Sequence, residues 1–311
     1  MDRLTSMRIF ATVVDLGAFT AAADRLDLSR AAVSKHVADL EQSLGSRLLN
    51  RTTRSISLTE AGEVYFSRCK QILDDIETAE SEVNGLSTEP RGVLKLNAPM
   101  SFGQRRLGPL LAEFQRRYSQ LELDVSLNDR LIDVVEEGYD LVIRISKPED
   151  SSLVARRIAQ CRFAIAAAPG YLERHGTPQT PEELSDHTCL QYSYAWAARQ
   201  WHFCGPDGEH VIDTSGPLIA NNGELLCAAA TAEMGVCLLP TFILCDALNE
   251  GTLVQVLPGY APPPIGVYLV FPTSRLMSAK VRCFIDFMVE AIGDPPAWDV
   301  GLPLVFDPSN S

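Results

Sequence analysis

The sequence predicts an α+β multidomain protein with an N-terminal winged helix-turn-helix, a long linker helix and a C-terminal α/β portion. Three observations carry this reading. The first 60 residues hold three short helical stripes followed by an arginine-bearing apolar segment. Apolar residues then recur at alternating spacings of four and three from Tyr65 to Leu86. Beyond Pro90, strand-like and helix-like segments alternate for most of the chain. At 311 residues, with 46% hydrophobic and 22% charged residues, the chain has the length of two or three globular domains.

The head reads residue by residue. Leu4, Met7, Phe10, Val13 and Val14 form one helical stripe, and Gly17 stops it. Thr20 is expected to cap a short helix whose inner face is Ala22, Ala23 and Leu26. Ser29 is a second N-cap, with Val33, Val37, Leu40 and Leu44 following on one face and Gly45 just past the end. Helix, short helix, tight turn and longer helix make a helix-turn-helix layout, although a generic helical bundle has similar parts. Next, Leu49, Ile56 and Leu58 can pack inward while Arg47, Arg51 and Arg54 cluster, with no acid between residues 42 and 59. A β-hairpin wing carrying arginines beside such a helix suits a phosphate backbone, whereas alone it would be a solvated face.

Thr59 should cap the linker helix, expected to run to about Ser87. Its seam is Tyr65, Cys69, Ile72, Ile76, Ala79, Val83 and Leu86, and the other faces carry Glu63, Asp74, Asp75, Glu77, Glu80 and Glu82. A heptad seam of this length needs a partner, which is an identical helix of a second subunit or the chain's own C-terminal portion.

Pro90 ends that helix. Strands are expected at 93–97, 121–127, 141–145, 163–168, 218–220, 236–239, 253–257 and 267–271, in mostly parallel sheets. Helices are expected at 107–118 and 132–137 and after Ser278, where Val281, Phe284, Ile285, Met288 and Ile292 share a face. The tail from Gly293, with Pro295, Pro296, Pro303 and Pro308, reads as weakly ordered.

The net charge of −13 belongs to the linker and C-terminal portion, because residues 1–66 carry eight basic and eight acidic side chains. A neutral head still binds phosphate if its basic groups converge. The absence of an 18-residue apolar run, and the charges Asp2, Arg3, Arg8, Asp15, Asp24 and Arg25, argue against a signal peptide or membrane span and for the cytoplasm. Eight cysteines without a CxxC read as small buried hydrophobes, with a thiol sensor as the alternative. His36, His175, His187, His202 and His210 lack metal-ligand spacing, and no GxSxG, Walker or GxGxxG run occurs. No metal, cofactor or enzymatic activity is therefore expected.

Residues 1–60 resemble the LysR-type transcriptional regulators. The match lies in Phe19-Thr-Ala-Ala-Ala-Asp-Arg-Leu26, Ser29-Arg-Ala-Ala-Val-Ser34, Leu40-Glu-Gln-Ser-Leu-Gly45 and Leu48-Leu-Asn-Arg51, followed by Arg54 and Leu58-Thr-Glu-Ala-Gly62. It continues more weakly through 98–103, 135–144 and 232–240, which look like the CrgA subgroup. Position 30 is Arg where the family usually has Gln, and position 31 is Ala where Pro is frequent. The resemblance implies double-stranded DNA as a partner, self-association as a dimer and then a tetramer, contact with RNA polymerase, and a small-molecule effector. The DNA-contacting candidates are Thr20, Ser29, Arg30, Ala31, Ala32, Ser34, Lys35, His36, Arg47, Arg51 and Arg54, with Arg30 suited to guanine O6 and N7.

The resemblance also implies a periplasmic-binding-protein-like effector domain of two subdomains. The expected division is head 1–59, linker and hinge 60–90, effector domain 91–293 and tail 294–311. Subdomain I takes 91–161 and 267–293, and subdomain II takes 162–266. Ligands bind outside the carboxyl ends of parallel strands, which points to Met100, Ser101, Phe102, Asp129, Arg130, Arg144 and Ser146. Tyr192, Tyr194 and Trp201 lie where related proteins close the cleft, and Asn221 and Asn222 open a helix whose amides suit a carboxylate, so an organic anion is the expected effector. The duller readings are a structural ion pair of Arg144 with Asp140 or another acid, and aromatics in the core. A solute-binding protein, the other alternative, would need an export signal and would have no use for residues 1–60.

Overall fold

The computed structural model describes residues 2–51, 56–83, 90–146, 153–193, 199–272 and 277–302. They form two compact units, one built mainly on the first 88 residues and one on most of the remainder.

In the N-terminal unit, helix α1 (Arg3–Leu16) starts where Asp2 Oδ1 accepts the Leu4 amide at 3.1 Å and stops at Gly17, whose φ of 65° suits a residue without Cβ. Helix α2 (Phe19–Leu26) begins one residue before the expected cap. Ala18 starts it by its extended backbone alone, and Thr20 lies exposed within the first turn, so Thr20 is not the cap. Helix α3 (Arg30–Leu44) is capped as expected, with Ser29 Oγ accepting from Ala32 N at 3.1 Å and Gly45 at φ 66°.

Strands β1 (Leu49–Arg51) and β2 (Ile56–Leu58) pair antiparallel, Leu49 opposite Leu58, as the wing. Glu41 Oε1 accepts the amides of Leu48 and Leu49 at 2.9 and 3.1 Å, so α3 and the wing are tied by a carboxylate. Helix α4 (Glu60–Val83) follows, with Thr59 Oγ1 accepting from Gly62 N at 3.0 Å. A Cβ on Gly62 would sit 2.0 Å from the Leu48 carbonyl oxygen, so only glycine lets α4 lie this close to the wing.

The core of this unit is Phe10, Val13, Ala22, Val33, Val37, Leu40, Leu48 and Cys69. Tyr65 and Phe66 pack on it, their rings 5.8 and 6.3 Å from that of Phe10. Tyr65 and Cys69 are therefore taken up inside the head and are not open to a partner helix. A stripe of apolar residues shows which face is buried, not against what.

The C-terminal unit runs β3 (Gly92–Ala98), a helical turn α5 (Met100–Phe102), a π-helical stretch (Gly103–Leu107), α6 (Gly108–Arg117) and β4 (Leu121–Leu127). Then come β5 (Leu141–Ser146), β6 (Val154–Cys161), β7 (Phe163–Ala167), α7 (Pro169–His175), a 3-10 turn (Pro181–Asp186) and β8 (Cys189–Tyr192). A hairpin of β9 (Gln200–Gly205) and β10 (Gly208–Asp213) leads to β11 (Ile219–Ala220), α8 (Gly223–Thr231), β12 (Val236–Pro240), α9 (Thr241–Asn249) and β13 (Val254–Val256). The unit ends with β14 (Ile265–Phe271), α10 (Ala279–Ile292) and a 3-10 turn (Ala297–Asp299).

Two five-stranded sheets result, ordered β4-β3-β5-β14-β6 and β11-β8-β12-β7-β13. In each, two pairings are parallel and two antiparallel, because one strand, β14 in the first and β7 in the second, runs against the other four, so the sheets are mixed rather than mostly parallel. In place of the expected helix at 132–137, residues 132–133 are irregular and 134–138 form turns, closed by the Tyr139 amide on the Val134 carbonyl at 3.0 Å. The tail is also corrected at its start. Trp298 and Asp299 are buried, at 7% and 8% exposure, while residues from 303 on lie outside the described set. No helix among the described residues is long and apolar enough to cross a membrane.

Candidate nucleic-acid interface and ligand cleft

The outward face of α3 is fixed by its inward one. With Val33, Val37 and Leu40 in the core, Arg30, Ala31 and Lys35 are exposed and Ala32 and Ser34 half-buried on the opposite side. Ser29 is exposed but its hydroxyl is held by the cap. His36 is half-buried and its Nδ1 lies 3.1 Å from Ser6 Oγ of α1, so its ring is drawn inward. Thr20 is exposed on α2, and Arg47 is exposed at the foot of the wing, its carbonyl accepting from Thr59 Oγ1 at 2.7 Å. Arg51 stands in β1, and Arg54 lies outside the described residues.

Along α4 the seam free of the head begins at Ile72, 41% exposed, and continues through half-buried Ile76. Ala79 and Val83 lie further along the helix, and Leu86 falls outside the described residues.

In the C-terminal unit the register brings candidate ligand residues to two strand edges. Ala98 pairs with Leu127, and Leu96 with Leu141, so Met100, Asp129 and Arg144 all leave one edge of the first sheet. Ala220 pairs with Tyr192, and Val236 with Cys189, so Tyr192, Asn221, Asn222 and Thr241 leave one edge of the second. The two edges meet. Asn222 caps α8 through Oδ1, which accepts the Leu225 amide at 3.0 Å, while its Nδ2 lies 3.2 Å from Met100 Sδ. A Cβ on Gly223 would be 3.7 Å from Ser101 Oγ. Ser101 is 6% exposed.

Other candidates are committed elsewhere. Asp129 Oδ1 accepts the Met100 amide at 2.9 Å, and burial holds its carboxyl above the usual range. Arg144 donates to the Ile132 carbonyl, while Asp140 accepts from Lys280 Nζ at 2.9 Å and the Lys95 amide at 2.8 Å, so the Arg144–Asp140 pair does not form. Phe102 is wholly buried, its ring 5.5 Å from Phe242 and 6.0 Å from Trp298, which takes it out of any open cleft. Arg130 is exposed and Ser146 half-buried. Trp201 is buried against Phe203 in the separate β9–β10 hairpin, and Tyr194 lies outside the described residues.

The sequence reading missed the groups that bind the two edges together. Arg105 grips both oxygens of Glu224 at 2.6 Å and Asp246 at 2.7 Å. Arg106 donates to the Phe242 carbonyl at 2.8 Å and stands over the Trp298 ring. Adjacent arginines just after a strand were a visible signal, but their partners lie more than 100 residues away. Burial raises the Cys69 thiol to about 11 and Cys189 to about 12, which suits small buried hydrophobes. No group of three His, Cys, Asp or Glu among the described residues could hold a metal ion.

Residues 4–63 match the bacterial regulatory helix-turn-helix protein, lysR family, and residues 87–293 match the LysR substrate binding domain. An uncharacterized HTH-type transcriptional regulator of Haemophilus influenzae is 38% identical over 281 residues, covering 90% of this chain and 98% of that protein. The regulator CrgA of Neisseria meningitidis serogroup B is 34% identical, covering 93% and 96%. The solved structure of CrgA from Neisseria meningitidis superposes with a TM-score of 0.61 at 33% identity, covering 92% of this chain and 97% of that one. These relatives are regulators and not enzymes. A helix-turn-helix with an arginine-bearing wing, joined in one chain to paired α/β sheets whose strand ends meet, thus belongs to the LysR family, as a DNA-binding transcriptional regulator with an effector-binding substrate domain.

Proposed function

We propose that this regulator is a cytoplasmic dimer, assembling further to a tetramer, whose operator affinity responds to a small organic anion. The head at 1–59 reads DNA through Arg30, Ala31, Ser34 and Lys35, with Arg47, Arg51 and Arg54 on the phosphate backbone. The helix of 60–90 pairs two chains along Ile72, Ile76, Ala79, Val83 and Leu86. Subdomain I (91–161 and 267–293) and subdomain II (162–266) hold the effector between them. RNA polymerase is the partner through which bound regulator acts on transcription.

The observation that supports the effector reading best is the placing of Ser101, 6% exposed, with its hydroxyl beside the first residue of α8. A ligand oxygen accepting from that hydroxyl would gain a hydrogen bond worth about 0.5–1.5 kcal/mol. The α8 N-terminus adds a positive dipole end, favouring a carboxylate over a cation. Among the described residues, Asn222 Nδ2 meets only a thioether, a weak acceptor that a carboxylate would displace with gain. The account expects candidate carboxylates to change the operator footprint of the wild type, and Ser101→Ala to lose that response at unchanged basal DNA affinity. A response that persists in Ser101→Ala would put the effector elsewhere.

A further inference from the structure

The chain continues past the matched substrate binding domain, which ends at residue 293, and its next residues do not hang free. Trp298 packs edge-on against Phe102, which follows β3, and against Phe242 of α9, at 6.0 and 6.3 Å between ring centroids. Arg106 lies over the same indole at 5.6 Å. Asp299 accepts from Arg162 at 2.9 Å, at the crossover between β6 and β7, and from Thr241 Oγ1 at 2.6 Å, at the start of α9. Phe102 and Arg106 belong to the layer of the first sheet, and Phe242 and Thr241 to that of the second. One short segment, Ala297–Asp299, thus holds both, one residue from Ser101 on one side and at the end of β12 on the other.

We propose that residues 296–302 form a C-terminal strap that clamps the two α/β subdomains together at the rim of the effector cleft and so sets how far they separate. A ligand can shift an open–closed equilibrium only by its differential affinity for the two arrangements. A strap that already favours one arrangement changes the starting population, and hence the size of the response. This inference rests on the effector reading for its biological meaning, but the mechanical claim stands apart from it.

The Trp298 ring touches both layers at once while the Asp299 carboxylate anchors the segment to the second, which separates a clamp from a tail that merely covers apolar surface. Trp298→Ala removes the ring shared by Phe102 and Phe242, while Asp299→Asn keeps its shape and removes the charge that Arg162 meets. Both are made in the full chain and followed by amide hydrogen exchange without DNA or effector. The clamp predicts roughly tenfold or faster exchange in Met100–Leu107 and in Thr241–Cys245 together, with α10 unchanged. Acceleration confined to residues 296–302, or to only one of the two segments, would overturn it. Because Asp299→Asn is nearly isosteric, it decides the matter if Trp298→Ala fails to fold. Neither outcome touches the effector reading, which Ser101→Ala tests separately.

Discussion

Replacing Arg105 by Met keeps the aliphatic stem and deletes three charge-assisted hydrogen bonds, two to Glu224 at 2.6 Å and one to Asp246 at 2.7 Å. The exposures set the magnitude: Arg105 is 25% exposed and Glu224 27%, but Asp246 is 61% exposed. Breaking a fully buried pair costs about 3–5 kcal/mol and an exposed one about 0–1 kcal/mol. The Asp246 limb, largely solvated, adds only about 0.5 kcal/mol. Glu224, in the first turn of α8, keeps about 0.3–1 kcal/mol from the helix dipole after the arginine has gone. The net expectation is about 2 kcal/mol, which at a urea slope of about 3 kcal/mol/M moves the midpoint by about 0.7 M. All three tryptophans lie C-terminal to residue 190, so their fluorescence follows the unit concerned. The Arg105→Met and Glu224→Gln cycle should show a coupling above about 1 kcal/mol that shrinks in 1 M salt. A midpoint shift under about 0.2 M, or additive single effects, would refute the bridge as a tie between the two layers.

Gly62→Ala should destabilise the head by about 1–3 kcal/mol because its methyl meets the Leu48 carbonyl, whereas Gly108→Ala, with nothing nearer than 3.8 Å, should be neutral or stabilising. Proteolysis of the wing in the two variants checks the contrast, and equal behaviour would contradict the packing of α4 on the wing. Ile76→Glu places a charge on the linker seam and should dissociate the proposed dimer in analytical ultracentrifugation while the head stays folded. An intact dimer would mean that the chains pair elsewhere. His210 hydrogen-bonds Glu182 and Asp207, which raise its pKa and are themselves held below the usual carboxylate range. A raised histidine stabilises fully below its unfolded value and loses that contribution as pH rises through the folded one; the lowered acids lose theirs on acidification through their folded values. The hairpin latch should therefore be tightest between about pH 5 and 6.5. An NMR titration placing His210 at or below its ordinary value would disprove it.

How much of this was legible depended on the range of the interactions. Val33, Val37 and Leu40 lie on the buried face that their spacing requires, and Ser29, Gly17 and Gly45 end their helices by local backbone chemistry. Thr20 failed as a cap because an extended backbone at Ala18 starts α2 without a side chain. Strand β6 escaped notice because its first four residues are exposed and its pairing with β14 shifts between Val267 and Tyr268, which blurs any alternation. The β9–β10 hairpin did carry a signal, Trp201 and Phe203 alternating with polar residues before Pro206-Asp207-Gly208, and it went unread. At the cleft, Met100, Ser101 and Asn222 followed from strand ends and do meet. The roles of Arg105 and Trp298 could not follow, because their partners are distant in sequence and four prolines mask the tail's one anchoring indole.

The central claim is that the head reads sequence as a pair, and selection of duplexes from a random library by the purified full-length chain tests it most directly. The account predicts enrichment of an inverted repeat whose half-sites lie about one helical turn, roughly 10 base pairs, or a multiple of it apart. Within each half-site one guanine preference should weaken by roughly tenfold or more in Arg30→Ala, with other positions unchanged. Enrichment of nothing beyond general duplex affinity, or of the same guanine with Arg30 removed, would contradict it.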